Sequence, residues 1–201
     1  ALRRRLGWPE GATVAIYTGR LLRGKGLQGL LRAFRRVAAA DPRALLVLVG
    51  SGDGQALSVE EALRSAVPDL ELAGRVVFTG RVDDVSDHLR ASDLFVFPSE
   101  FEALGLSLIE AAACGLPAVA SRTGGIVDVV EEGGSGLLVP SGDEERLADA
   151  LLRLAADEER RRTLGRRGRE LAVAGFDHRA NVARYRELFS ELGAGRKRPG
   201  G

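Results

Sequence analysis

The sequence predicts an α/β fold in which a parallel sheet of about six strands is doubly wound, with helices on both of its faces. Three observations carry this prediction. β-rich apolar runs alternate with amphipathic helical patterns through most of the chain. Some of these runs, such as Ala-Leu-Leu-Val-Leu-Val at 44–49, are almost continuously apolar, as a strand covered on both faces must be. The runs also end repeatedly at glycine-containing turns, and in doubly wound sheets that carboxyl edge is where ligands bind.

Taken in order, Thr13 to Tyr17 reads as the first strand and stops before Gly19. Leu30, Leu31, Phe34, Val37 and Ala38 recur at helical spacing within 29–40, with Arg32, Arg35 and Arg36 opposite. The strand at 44–49 runs into Gly50-Ser51-Gly52-Asp53-Gly54, and Ser58 with Glu61 has the spacing of a capping box for the helix that follows. Arg75 to Thr79 is the third strand, Asp84 to Ala91 a short helix and Leu94 to Phe97 the fourth strand. A helix over 106–114 is broken at Gly115-Leu116-Pro117; the strand 118–120, a short helix over 126–131 and a last strand over 136–139 complete the alternation. Beyond it the pattern is helical only, over 144–156, 158–173 and 181–192, with Asp143 and Asp177 as N-caps. Residues 1–192 therefore form one domain whose part from 143 on is all helical, and 193–201 reads as a disordered polar tail.

Composition narrows the function. The 201 residues are 45% hydrophobic and 28% charged, an ordinary globular balance. Lys and Arg number 29 against 28 Asp and Glu, so no global field draws the chain to nucleic acid. A single cysteine, Cys114, excludes an internal disulfide framework. No run approaches the ~20 apolar residues of a membrane span, and no basic-then-apolar leader opens the chain, so a cytoplasmic location is expected. A chain that starts at Ala1 and has no methionine reads as part of a longer protein.

The chemistry-bearing residues follow the strands. Gly19 and Arg20, with Lys25 and Gly26, sit between the first strand and the first long helix, where glycine turns, free helix amides and two cations suit a phosphate. The plain alternative is a solvated loop with two ordinary basic residues. Gly50 and Gly52 follow the second strand and either admit a ligand or simply make a turn. After the fourth strand, Glu102 is expected in a loop and Glu110 on the helix behind it, with the amides of Ala103, Leu104, Gly105 and Leu106 able to cradle an anion. Carboxylates beside a phosphate need hydroxyl donors, and sugar hydroxyls are the obvious ones. Glu110 lies in the apolar stretch Leu-Ser-Leu-Ile-Glu-Ala-Ala-Ala, where an unpartnered acid is costly, so a buried structural role is the alternative. Gly124-Gly125 makes a further turn at the same edge. His88 and His178 have no partner at metal-ligand spacing, and no metal site is expected. The arginines of 160–169 are interleaved with acids and read as a solvated helix face.

Together these residues resemble the C-terminal, donor-binding domain of retaining GT-B glycosyltransferases of family 4, the glycosyl transferases group 1. The resemblance rests on Gly19-Arg20…Lys25-Gly26, Val49-Gly50-Ser51-Gly52, Val76 to Val82, Pro98-Ser99…Glu102-Ala103-Leu104-Gly105…Glu110-Ala111, Cys114 to Ala120, Gly124-Gly125 and Gly136-Leu137-Leu138, in that order over about residues 10–190. It implies a Rossmann-like sheet and a nucleotide-sugar donor, with UDP or GDP expected, and no cofactor or metal. Arg20 and Lys25 would hold the diphosphate and stabilise it as it leaves. Glu110 would accept from the ribose, Glu102 from the donor sugar, and the backbone at Arg81-Val82 would meet the base. Gly50 and Gly52 would line the floor. The resemblance also implies a missing N-terminal domain, which would carry the acceptor site and meet the last helix; the acceptor would be a glycan or a lipid, and with a lipid acceptor the whole protein would be membrane-associated on the cytoplasmic side. Departures are Ala103-Leu104 where the family has Gly-Phe, and the extra acid Glu100. The readings set against this are a non-catalytic module with a decayed site and a nucleotide-sugar epimerase or phosphorylase of the same architecture. A phosphorylase would need a cofactor lysine, and the only lysines are Lys25 and Lys197. A nicotinamide dehydrogenase lacks its G-x-G-x-x-G.

Overall fold

A computed structural model describes residues 2–194. Six strands form one parallel sheet: β1 (Thr13–Thr18), β2 (Ala44–Val49), β3 (Val76–Gly80), β4 (Leu94–Phe97), β5 (Ala118–Ser121) and β6 (Gly136–Val139). Their order is β3-β2-β1-β4-β5-β6. The register runs from Thr13 opposite Ala44 to Thr18 opposite Val49 between β1 and β2, and Phe95 lies opposite Ala118 between β4 and β5. β2 and β4 are buried along their whole length, which is why their sequences are apolar without alternation, whereas the edge strand β3 is half-buried throughout.

The helices are α1 (Leu2–Arg5), α2 (Leu27–Ala40), α3 (Glu60–Asp69), α4 (Val85–Arg90), α5 (Leu106–Ala113), α6 (Ile126–Val129), α7 (Glu144–Ala156), α8 (Glu158–Phe176) and α9 (His178–Ala194). The chain leaves β1 towards β2 on one side and crosses back to β4 on the other. Right-handed crossovers then place α2 and α5 on opposite faces. α2 buries Leu27, Leu30, Leu31, Phe34 and Val37. Its outer arginines reach α7, Arg32 in a forked pair with Glu144 and Arg36 with Asp149 at 3.1 Å. On the opposite face α5 packs against α8.

Most elements lie where the sequence places them; the differences have local causes. α2 starts at Leu27, because Gly26 takes a left-handed conformation and begins the helix two residues early. The Ser58–Glu61 capping box does not form: Ser58 Oγ accepts from Glu60 N at 3.3 Å, and α3 has no side-chain cap at Val59. Asp143 and Asp177 do cap, accepting from the amides of Arg146 and Ala180, and Asp157 caps α8 in the same way. α8 runs on to Phe176, and α9 starts at His178 rather than Asn181 and extends to Ala194, two residues into the expected tail. Residues 195–201 lie outside the described residues. Short α1 is pinned by Arg3, which donates to the carbonyls of Ala91 and Ala12 and pairs with Asp93 at 2.7 Å.

Two glycines of α8 separate packing from helix propensity. A Cβ at Gly165 would overlap the carbonyl oxygen of Gly115, whereas a Cβ at Gly175 would meet nothing within 4 Å. Propensity alone favours Ala over Gly by about 0.5–1 kcal/mol at both. Denaturant unfolding should therefore show Gly175→Ala more stable by roughly that amount and Gly165→Ala less stable by about 1–3 kcal/mol.

Candidate functional site

Strand order reverses between β1 and β4, the switch point at which a doubly wound sheet opens a crevice. Two adjoining cavities occupy its carboxyl edge, of about 340 and 480 Å³. Thr18, Gly19, Arg20 and Ser107 line both and form the junction. The first continues over Gly50 and Ser51 to Arg81, Val82, Val85 and Glu110. The second continues to Lys25, Glu102 and the 103–106 segment, with Tyr17 and Phe97 behind it. The structure thus brings the sequence candidates together with one exception. Gly52 is buried outside both linings, and a Cβ there would overlap the Leu21 carbonyl and the Ser58 side chain, so its role is to let two loops touch.

The junction is built from backbone. A Cβ at Gly50 would overlap the Gly19 carbonyl oxygen, and Gly19 N donates to Val49 O at 2.9 Å. Tyr17 is fully buried, stacks on Phe97 and donates its hydroxyl to Arg20 O at 3.1 Å. That bond fixes the backbone from which the exposed Arg20 side chain extends. Burial, aided by the charge of Glu102, pushes the Tyr17 phenol well above its ordinary pKa.

In the second cavity Lys25 Nζ lies 2.7 Å from Glu102 Oε2, both side chains about one-fifth exposed. The N-terminus of α5 faces the same space, and it carries neither a side-chain cap nor an acid in its first turn. Its positive end and free amides remain available to an anion. The Glu102 loop is held mainly through its main chain: Gly125 N donates to Glu102 O at 3.0 Å and Thr123 Oγ1 to Glu100 O at 3.2 Å. Gly124 and Gly125 press so closely on it that a Cβ at either would overlap a carbonyl of Glu102 or Ala103.

Glu110 differs from the buried acid its sequence context suggests. It is exposed on the cavity side of α5, because Leu108 and Ala111 are the residues that turn inward. Leu104 does not fill the place of an aromatic; it stays 40% exposed, beside Phe101 and Leu106 at 76% and 68%. Among the lining residues that sequence reasoning did not single out are Tyr17, Thr18 and Ser107. Tyr17 and Thr18 belong to a strand, and Ser107 is the one polar residue inside an apolar helix start; only the last left a signal. Thr18 Oγ1 is buried with no hydrogen-bond partner. A smaller cavity of about 140 Å³ lies between the starts of α2 and α7, where the Arg32–Glu144 pair already satisfies much of the charge. Among the described residues no group of three or more His, Cys, Asp or Glu could hold a metal ion, and no helix is long and apolar enough to cross a membrane.

Comparison with known proteins places these features in a wider set. The family model described as glycosyl transferases group 1 matches residues 1–171. N-acetyl-alpha-D-glucosaminyl L-malate synthase of Bacillus anthracis is 33% identical over 192 residues, which are 95% of this chain and 49% of that protein. Sucrose-phosphate synthase from Thermosynechococcus elongatus superimposes with a TM-score of 0.89 at 35% identity, over 96% of this chain and 49% of that one. Anabaena HepE in complex with UDP-glucose does so with a TM-score of 0.86 at 30% identity, over 94% and 51%. The chain therefore spans about half the length of each of these three relatives.

The raised pKa of Tyr17 has a consequence for stability. The unfolded chain releases the phenolic proton near pH 10, while the folded chain holds it to higher pH. Above pH 10 the unfolded state thus binds fewer protons, and stability falls with rising pH. Its contribution to the slope approaches about 1.4 kcal/mol per pH unit once the unfolded phenol is fully ionised. Between pH 9 and 11, denaturant unfolding should show Tyr17→Phe losing about 1.4 kcal/mol less in total than the parent chain.

Proposed function

The chain belongs to the glycosyl transferases group 1 family, as the C-terminal half of a GT-B fold, and from that premise we propose that it holds the nucleotide-sugar donor of a retaining, metal-independent glycosyltransferase. One observation carries the reading: two cavities, one edged by Glu110 and Val82 and the other by Lys25 and Glu102, meet at Arg20. That is the outline of a ligand with a nucleoside at one end, hydroxyls at the other and charge in the middle.

In this reading the base lies against the backbone at Arg81 and Val82, above Gly50, and the ribose hydroxyls donate to Glu110. The diphosphate sits at the junction, between Arg20, Lys25 and the amides of the α5 N-terminus. The exposed, unpaired position of Glu110 and the uncapped α5 support this arrangement. The donor sugar occupies the larger cavity, with its hydroxyls on Glu102 and the 103–106 backbone around it. As the bond from anomeric carbon to phosphate oxygen breaks, negative charge grows on the departing nucleoside diphosphate. Arg20 and Lys25 lie where that charge develops and stabilise it more than they stabilise the ground state. The acceptor attacks from the same face, its proton passing to the departing phosphate, and configuration is kept. UDP is the favoured nucleotide, on the strength of the HepE complex with UDP-glucose.

The acceptor, a glycan or a lipid, is expected on a second domain. Tyr185, Leu188, Phe189 and Leu192 form an exposed apolar stripe on α9 that suits contact with that half. A nucleotide-sugar donor is a cytoplasmic metabolite, so the whole protein is expected to act in the cytoplasm.

Calorimetric titration without metal tests this reading. UDP should bind more tightly than GDP, and the double change Arg20→Ala, Lys25→Ala should weaken UDP by about 2 kcal/mol or more, roughly 30-fold. Equal affinity in the double variant would place the diphosphate elsewhere. Glu102→Gln should lower affinity for UDP-glucose by about 10-fold relative to its effect on UDP, since only the former has sugar hydroxyls to lose.

A further inference from the structure

The donor cavities depend on a loop, 50–52, with two glycines; Gly50 N donates to Gly80 O at 2.9 Å, and beyond that bridge Ser51 and Gly52 belong to no strand or helix. Such a loop is entropically costly to hold in one shape, and a site that must be ordered by its ligand binds more weakly. One side chain outside both cavity linings holds it. Glu60, in the first turn of α3, turns away from its own helix start. Its Oε2 accepts from Gly52 N at 2.8 Å and from Ser51 Oγ at 3.0 Å. Its Oε1 accepts from Arg64, whose guanidinium lies over the Phe78 ring of β3 at 4.4 Å. The amide and hydroxyl bonds, with Arg64, hold the Glu60 carboxyl below the usual carboxylate range, so it is charged at neutral pH.

The loop passes this order on. Ser51 O accepts from Leu21 N at 3.2 Å, and Val59 N, just before α3, donates to Leu21 O at 2.9 Å. Leu21 is thereby held on both sides, and it is the residue after Arg20. A continuous set of bonds runs from Glu60 through Ser51 and Gly52 to Leu21 and so to the phosphate-side arginine.

We propose that Glu60 is a positioning residue for the donor site, fixing the 50–52 loop and, through Leu21, the backbone that carries Arg20. The proposal rests on the donor reading above. It predicts an effect from a residue that touches no part of the donor.

UDP titration by calorimetry, with amide hydrogen exchange at Leu21 and Gly52 in the absence of ligand, tests it on Glu60→Ala, Glu60→Gln and Arg64→Ala. Glu60→Ala should weaken UDP by roughly 5- to 30-fold and speed exchange at both amides by about 10-fold or more. Glu60→Gln keeps an oxygen for Gly52 N and a polar group for Ser51, and should recover most of the loss. Arg64→Ala breaks the tie to β3 but leaves both loop bonds, and should bind UDP within about 2-fold of the parent. Unchanged binding in Glu60→Ala overturns the proposal. So does an equal loss in Arg64→Ala, which would mean general loosening of α3. If the parent chain gives no heat with UDP, the donor reading fails, and Glu60 is then judged on exchange alone. Unchanged rates at Leu21 and Gly52 in Glu60→Ala would overturn its role.

Discussion

The candidate site depends on one close approach, the main chain of Gly50 against that of Gly19 where β2 and β1 end. Neither a Cβ at Gly50 nor one at Gly52 fits the space. Because the two backbones touch, Ser51 and Leu21 can bond, Arg20 leaves the sheet at a fixed place, and Thr18 is left at the junction of two cavities. The tightness itself comes from the layers beneath. β1 and β2 pair over six positions, from Thr13 with Ala44 to Thr18 with Val49, and both are buried. Strands packed on both faces cannot shift independently, so their ends are set by the core rather than by the loops.

Electrostatics complete what the backbone begins. A cavity with only cations would suit any anion. This one sets Lys25 against Glu102 and adds the open end of α5. The carboxylate is tolerated because Lys25 neutralises it at 2.7 Å, and both remain partly solvated, so neither carries the penalty of a fully buried charge. A ligand with phosphate oxygens and hydroxyls together can satisfy every member of the set: oxygens on Lys25 and the helix amides, hydroxyls on Glu102. A plain phosphate cannot. The mixed charge therefore selects for a compound ligand, which is the physical content of the donor reading.

Much of the fold was legible because burial on both faces writes a strong signal: the run at 44–49 has only one comfortable place, the middle of a sheet. Boundaries were less so. Gly26 could have ended a turn or begun a helix, and only its left-handed conformation in the folded chain decides. The Ser58–Glu61 pattern was misleading because Glu60 competes for the same region through a longer-range partner, the Gly52 amide. In the candidate site, charged residues and glycines stood out as a set because they recur just after strands, although each alone also fits a plain turn or a solvated loop, as Gly52 does. Tyr17, Thr18 and Ser107 did not stand out, since a strand or helix uses such residues for many ends. Glu110 was expected on the helix, with a buried structural role as the alternative, and it is exposed there: a short apolar helix at the rim of a sheet has a wet side that its composition does not show.

The loop that carries Glu102 raises a last point about rigidity. Its fixed points are backbone bonds to Thr123 and Gly125, and its side chains Phe101, Leu104 and Leu106 lie largely in solvent. A loop held by main chain tolerates changes of side chain at 103 and 104 while Glu102 stays beside Lys25. What such side chains do set is the outer wall. The cavity beside the loop is about 480 Å³, and Leu104, being flexible and half in water, bounds it less firmly than a ring would. The course of the loop is thus set by the backbone, while the width of the cavity beside it is left to a few exposed side chains. Substitutions at 104 and 106 should accordingly change which sugar fits before they change whether a nucleotide binds at all.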